Sequence, residues 1–129
     1  MATDYADYAN FSEGNVYGIV GENGAGKTTA IRTLVGLINA TSGSAQILGQ
    51  DALKSSVKLR SQIGYLPGVL SIYKGFTSWQ YLKFIAKMRG VNCDAKITEY
   101  AQRLNLDLHK HISDLSKGNR QKVGVIQAF

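Results

Sequence analysis

The residues with the clearest chemical purpose are Gly21–Thr29, "GENGAGKTT". Gly21, Gly26, Lys27 and Thr28 fit the spacing G-x-x-x-x-G-K-[ST], the Walker A pattern. Each position has a physical reason. The glycines let the backbone curl into conformations that a side chain would resist. That curl turns successive N–H groups, from Glu22 and Asn23 through Gly24 and Ala25, inward as an anion-binding nest. A helix opening near Lys27 aims its N-terminus, worth roughly half a positive charge, at the same point. Lys27 is then placed to bridge the β and γ phosphates of a nucleotide. The Thr28 hydroxyl, with Thr29 beside it, is placed to ligate Mg²⁺. With glycine at about 7% of residues, a chance match is on the order of one in a few hundred chains of this length. Nucleotide binding is the expectation.

The surrounding elements suit such a loop. "NVYGIVG", Asn15 to Gly21, is a short β-branched and aromatic run ending in glycine, and predicts a buried strand leading into it. From Lys27 to about Leu37, Ala30, Ile31, Leu34 and Val35 recur at helical spacing. A turn then precedes a short strand from Ala45 to Leu48, and a further strand is predicted from Gln62 to Leu66, stopped by Pro67. Beyond it the pattern becomes helical. Ser78 to Arg89 sets Trp79, Leu82, Ile85 and Met88 on one face. Asp94 is the expected cap of a helix with Ile97, Tyr100, Ala101 and Leu104 on its apolar side. Ser116 is the expected cap of a last helix carrying Val123 and Ile126.

Bulk properties set limits. The chain of 129 residues is 44% hydrophobic and 19% charged, an ordinary globular mixture that fits one domain. Its formal charge is +6, which suits anionic partners, but the cations are spread along the chain apart from Lys117, Arg120 and Lys122. A diffuse excess of this kind argues against nucleic acid as a partner. Cys93 is the only cysteine, so no internal disulfide can form, and its bland reading is a small residue near a helix start. No N-terminal signal pattern and no spanning apolar stretch is present, so a cytoplasmic location is expected, with any membrane role exerted through a partner.

A second segment, "DLSKGNRQKVGVIQAF" from Asp114 to Phe129, places Ser116 and Gly118 at the head of a helix beside Lys117. Alone it reads as a capped helix with a solvated basic face. Together with the Walker A loop it resembles the signature motif of ATP-binding cassette (ABC) ATPases, whose LSGGQ-type segment corresponds here to "LSKGN". Lys117 at the third position and Asn119 at the fifth resemble the branch of bacterial transporter subunits that serve drug or antibiotic exporters. "GLINATSGSAQILGQD", "IGYLP" and "IAKMRGV" also fall in the family's order.

The resemblance implies an α/β fold, a P-loop NTPase (RecA-like) core with an α-helical subdomain. It divides the chain into an α/β part at 1–68 with the Walker A loop and a helical part at 69–129 with the signature motif. It implies ATP and Mg²⁺ as cofactors, and ATP hydrolysis coupled to export as the activity. It also implies two subunits packed head to tail on a transmembrane permease, peripheral to the inner face of the cell membrane. In that arrangement Leu115, Ser116, Lys117, Gly118, Asn119 and Gln121 would act on the nucleotide held by Gly21–Thr29 of a second subunit. The helical stretch from about Ile72 to Leu106 would face the permease, with Trp79, Tyr81 and Phe84 as contact candidates.

Departures from the family pattern shape the rest of the expectation. The Walker B aspartate, the glutamate that follows it and a later histidine all come after the signature motif, and the sequence runs out within the signature helix. His109 and His111 precede the motif and are expected at the surface. Gly68, followed by Val69, stands where a glutamine is usual after "IGYLP", while Gln62 lies before the strand. Tyr5 or Tyr8 could imitate the family's adenine-stacking aromatic, but both lie too close to the Walker loop and read better as ordinary strand or tail residues. The expectation is therefore a piece of an ATP-binding subunit with no catalytic base identified, in which Lys27 serves phosphate stabilisation. The alternative is a nucleotide-binding or interaction fragment without turnover. An ABC ATPase acting on nucleic acid or ribosomes, and a small-molecule kinase, fit the residues less well.

Overall fold

The computed structural model describes residues 12–54 and 57–129. Helix α1 spans Lys27–Leu34, and a two-stranded antiparallel hairpin follows, β1 at Gln46–Ile47 and β2 at Gln50–Asp51. Then come α2 (Val57–Arg60), α3 (Ser78–Met88), α4 (Asp94–Arg103), a 3₁₀ turn at Ile112–Asp114 and α5 (Lys117–Ala128). The packed core lies at the C-terminal end of this order. Tyr81 and Leu82 of α3, Ile97 and Ala101 of α4, and Val123 and Ile126 of α5 close around Leu106, Ile112 and Leu115.

Local chemistry sets the limits of these helices. Thr77 and Gln80 form a reciprocal capping box at the head of α3: the Thr77 hydroxyl accepts from the Gln80 amide at 3.2 Å, and the Gln80 side chain accepts from the Thr77 amide at 2.9 Å. Helix α1 stops at Leu34, three residues short of the expected Leu37. The reason is Gly36, at φ 73°, where the Gly36 amide bonds the Thr33 carbonyl and the Leu37 amide bonds the Arg32 carbonyl. Helix α4 ends the same way on Asn105, at φ 49°, a residue type that tolerates the left-handed region.

Several expectations need correction. Asn15–Gly21 forms no strand; Val16 and Val20 are almost fully exposed, and a strand exists only where a neighbour completes its hydrogen bonds. Gln62–Leu66 is likewise not a strand, although it packs against α5. The strand predicted from Ala45 to Leu48 shrinks to Gln46–Ile47, because the chain turns at Leu48 and Gly49. In α3 the buried residues are Ser78, Tyr81, Leu82 and Ala86, while Met88 lies past the core and is exposed. Cys93, not Asp94, is the N-cap residue of α4 and makes no side-chain cap. The Asp94 carboxylate instead meets Lys83 at 2.8 Å.

Candidate functional site: the phosphate loop and the head of α5

The chain enters α1 through two left-handed residues, Gly24 at φ 89° and Gly26 at φ 86°. A β-branched or bulky side chain would be strained at either. Between them the Ala25 amide bonds the Glu22 carbonyl at 3.2 Å, closing a tight turn. Lys27 then folds back over the loop and donates to the carbonyls of Gly21 and Glu22, at 2.6 and 2.7 Å. An ammonium has three N–H donors, so the loop engages two and leaves one for an incoming anion. No side chain caps α1. The N–H groups of its first turn stay open, which is the arrangement an oxyanion needs.

The donors fit a chain of phosphates. Gly24 and Gly26 would meet no atom within 4 Å even if each carried a Cβ, so the mouth of the loop is open. Thr28 and Thr29 are exposed on the first turn of α1, with the Thr29 carbonyl accepting from the Thr33 hydroxyl at 2.9 Å. Among the described residues no group of three or more His, Cys, Asp or Glu side chains gathers to hold a metal ion.

At the head of α5, Ser116 is the N-cap, and its hydroxyl accepts from the Asn119 amide at 3.2 Å. Gly118 follows in the first turn with open space where a Cβ would stand. Lys117 and Gln121 are exposed and Asn119 half-buried. Leu115 differs from its five expected companions. It is 4% exposed and belongs to the core, because an isobutyl side chain loses water-exposed apolar area there. Leu115 thus anchors the segment and does not reach outward.

Other expected residues fall as follows. Tyr81 is buried, not a surface contact; its hydroxyl donates to the Gln127 side chain at 2.8 Å. Burial pushes its phenol above the ordinary range. Phe84 is exposed and Trp79 half-buried, with the Lys83 ammonium 5.3 Å from the Trp79 ring centre. His109 and His111 are exposed, as is Gly68. Tyr5 and Tyr8 lie outside the described residues.

Two relationships escaped the sequence reading. Gly64 lies directly against the Ala128 carbonyl, and a Cβ on Gly124 would fall 2.6 Å from Leu70 and 2.8 Å from Leu66. The segment containing "IGYLP" therefore lies along α5, the helix that carries Ser116 and Gly118. A glycine inside an otherwise apolar helical run was the available signal, since it weakens a helix unless something approaches closely.

Comparison with known proteins agrees with this layout. The chain matches the ABC transporter family over residues 8–129. It belongs to that family. It is 35% identical over 122 residues to the bacitracin transport ATP-binding protein BcrA of Bacillus licheniformis, covering 93% of this chain and 40% of BcrA. It is 34% identical over 129 residues to the probable multidrug ABC transporter ATP-binding protein YbhF of Escherichia coli, covering 96% of this chain and 22% of YbhF. Among solved structures, an ATP-binding subunit of an ABC transporter superposes with a TM-score of 0.71 at 28% identity, covering 84% of this chain and 48% of that one. A putative ABC transporter ATP-binding protein from Pyrococcus furiosus gives 0.69 at 27%, covering 83% and 52%. The fold is thus the P-loop NTPase fold of ABC ATP-binding subunits, of which the chain spans about half or less. No helix among the described residues is long and apolar enough to cross a membrane.

Proposed function

We propose that the chain is part of the ATP-binding subunit of an ABC exporter and that it holds Mg-ATP at Gly21–Thr29. The observation that carries this reading is the Lys27 side chain, tied to the carbonyls of Gly21 and Glu22 beside the uncapped head of α1. The names of BcrA and YbhF, which concern bacitracin transport and multidrug transport, support export as the use of the nucleotide.

In this reading the loop's N–H groups and the head of α1 bind the phosphates. Lys27 balances their charge, and Thr28 gives one oxygen to Mg²⁺. Bound ATP supplies the phosphoanhydride energy that the full transporter uses. Ser116 and Gly118 approach the nucleotide of a second subunit packed head to tail, where the open space over Gly118 admits a phosphate. The part at 69–129 is the helical subdomain that faces the transmembrane permease, with Phe84 on the contact surface, and 1–68 is the α/β part. The complex would sit at the inner face of the membrane, with no nucleic acid involved.

In this reading no residue among these 129 is assigned as a Walker B aspartate or as the glutamate that follows it. Removing a general base alone costs roughly 10²–10⁴ in rate. We therefore propose that this chain by itself binds nucleotide without appreciable turnover.

The test is Mg-ATP binding measured beside steady-state hydrolysis, on the chain and on Lys27→Ala. Expected are binding at least tenfold weaker in the variant and no turnover in either. Equal binding by the two would overturn the assignment of the loop. Hydrolysis that disappears in Lys27→Ala would overturn the reading without turnover.

A further inference from the structure

Asn23 is the one asparagine of seven in the chain that a glycine follows. The side-chain amide carbon of an asparagine is open to attack by the backbone nitrogen of the next residue, and a Cβ on that residue obstructs the approach. Gly24 has none, and it stands at φ 89° with nothing within 4 Å of where one would be. Both residues are exposed, and among the described residues neither the Asn23 side chain nor the Gly24 N–H has a hydrogen-bond partner. The nitrogen is therefore free to give up the proton that a hydrogen bond would hold.

The other described asparagines lack this combination. The nitrogens that follow Asn105 and Asn119 are held: the Leu106 N–H donates to the Ala101 carbonyl and the Arg120 N–H to the Ser116 carbonyl, both at 2.9 Å. The Asn15 side chain donates to the Tyr17 hydroxyl, and that of Asn92 accepts from the Asp94 amide. Asn39 is exposed and unbonded, but Ala40 follows it. What sets Asn23 apart is local to two consecutive residues.

We propose that Asn23 is a site of spontaneous deamidation, and that a bound nucleotide protects it. The Gly24 nitrogen bonds to Cγ of Asn23 as the Cγ–Nδ2 bond breaks, and ammonia leaves with the proton that the Gly24 nitrogen carried. Water then opens the cyclic imide. Addition at Cγ gives an aspartate, and addition at the main-chain carbonyl gives an isoaspartate, whose backbone is longer by one carbon. Nothing is oxidised or reduced. Either product sets a carboxylate in the phosphate loop, where it repels the anion that the loop would hold. Phosphates in the loop cover the dipeptide and engage its N–H groups, so the empty loop ages and the loaded one does not. This protection rests on the reading of Gly21–Thr29 as a nucleotide site, whereas the deamidation itself does not.

The test is incubation of the full chain in mildly alkaline buffer, with and without Mg-ATP, with Mg-ATP binding measured first on the fresh chain. Mass spectrometry follows the peptides that span each asparagine, and enzymatic methylation reads the isoaspartate. Conversion is expected at Asn23 at least tenfold faster than at Asn39, and at least threefold slower with Mg-ATP present. Ion exchange then separates converted from unconverted chains of one incubation, which controls for general damage. The converted chains should bind Mg-ATP at least tenfold more weakly. Conversion of Asn39 as fast as Asn23 would overturn the proposal. So would equal binding by the two fractions, or unslowed conversion in a chain that does bind Mg-ATP. A fresh chain that binds no Mg-ATP would instead overturn the nucleotide reading, and the protection with it, while the ratio of Asn23 to Asn39 still decides the deamidation.

Discussion

The α-carbon of Gly64 rests on the carbonyl of Ala128, with no room between them for a methyl group. Sixty-four residues apart in sequence, the two define how closely the "IGYLP" segment approaches the end of α5. The obstructing atom is backbone, so a side chain cannot swing aside to relieve the clash. Gly64→Ala should therefore destabilise the chain by about 1–3 kcal/mol, the usual cost of overpacking. Urea denaturation checks this: the midpoint should fall with little change in slope.

Gly118 is the opposite case. It lies inside α5, in helical conformation, and a Cβ there would meet nothing within 4 Å. Alanine is the better helix former by about 1 kcal/mol. Gly118→Ala should thus raise the denaturation midpoint of the isolated chain. If the open space serves a phosphate brought by a second subunit, the same variant should weaken ATP-dependent association of full-length subunits.

How much of this was readable beforehand depends on whether the signal was local. The glycine turn into α1 was, because the glycine positions and the following helix are fixed by spacing within Gly21–Thr29. The cap at Ser116 was equally local, and its hydroxyl does bond the amide three residues on, whereas the cap expected at Asp94 fell one residue off. The strands were not. Val16, Ile19 and Val20 have the composition of a buried strand, yet burial requires a neighbour from elsewhere in the chain, and the described residues provide none. Tyr81 shows the same limit from another side. Helical spacing places it on α3, but only the packing of α3 against α5 decides that it faces Gln127.

That Tyr81–Gln127 bond gives a pH prediction. Burial raises the folded-state phenol above its unfolded value near 10. A raised pKa means that the folded chain holds its proton after the unfolded chain has lost it. The contribution is complete below about pH 10 and declines as pH rises through the folded value. Tyr81→Phe keeps the ring and loses the bond, which should cost about 1 kcal/mol at neutral pH. Thermal melts of both proteins between pH 8 and pH 11 should converge at the alkaline end.

Ser116 carries two proposed roles, a cap for α5 and an approach to a phosphate, and substitution can separate them. Ser116→Ala removes the acceptor for the Asn119 amide, and loss of such a cap costs typically about 1 kcal/mol. Ser116→Asp keeps an acceptor at the N-cap and adds a negative charge that the helix dipole favours. The melting temperature should therefore fall by a few degrees in Ser116→Ala and hold or rise in Ser116→Asp. Toward a phosphate the order reverses, because a carboxylate repels what a hydroxyl admits. Ser116→Asp should then abolish ATP-dependent association of full-length subunits while leaving each one folded. A variant that is stable and still associates would show that Ser116 is a cap and nothing more.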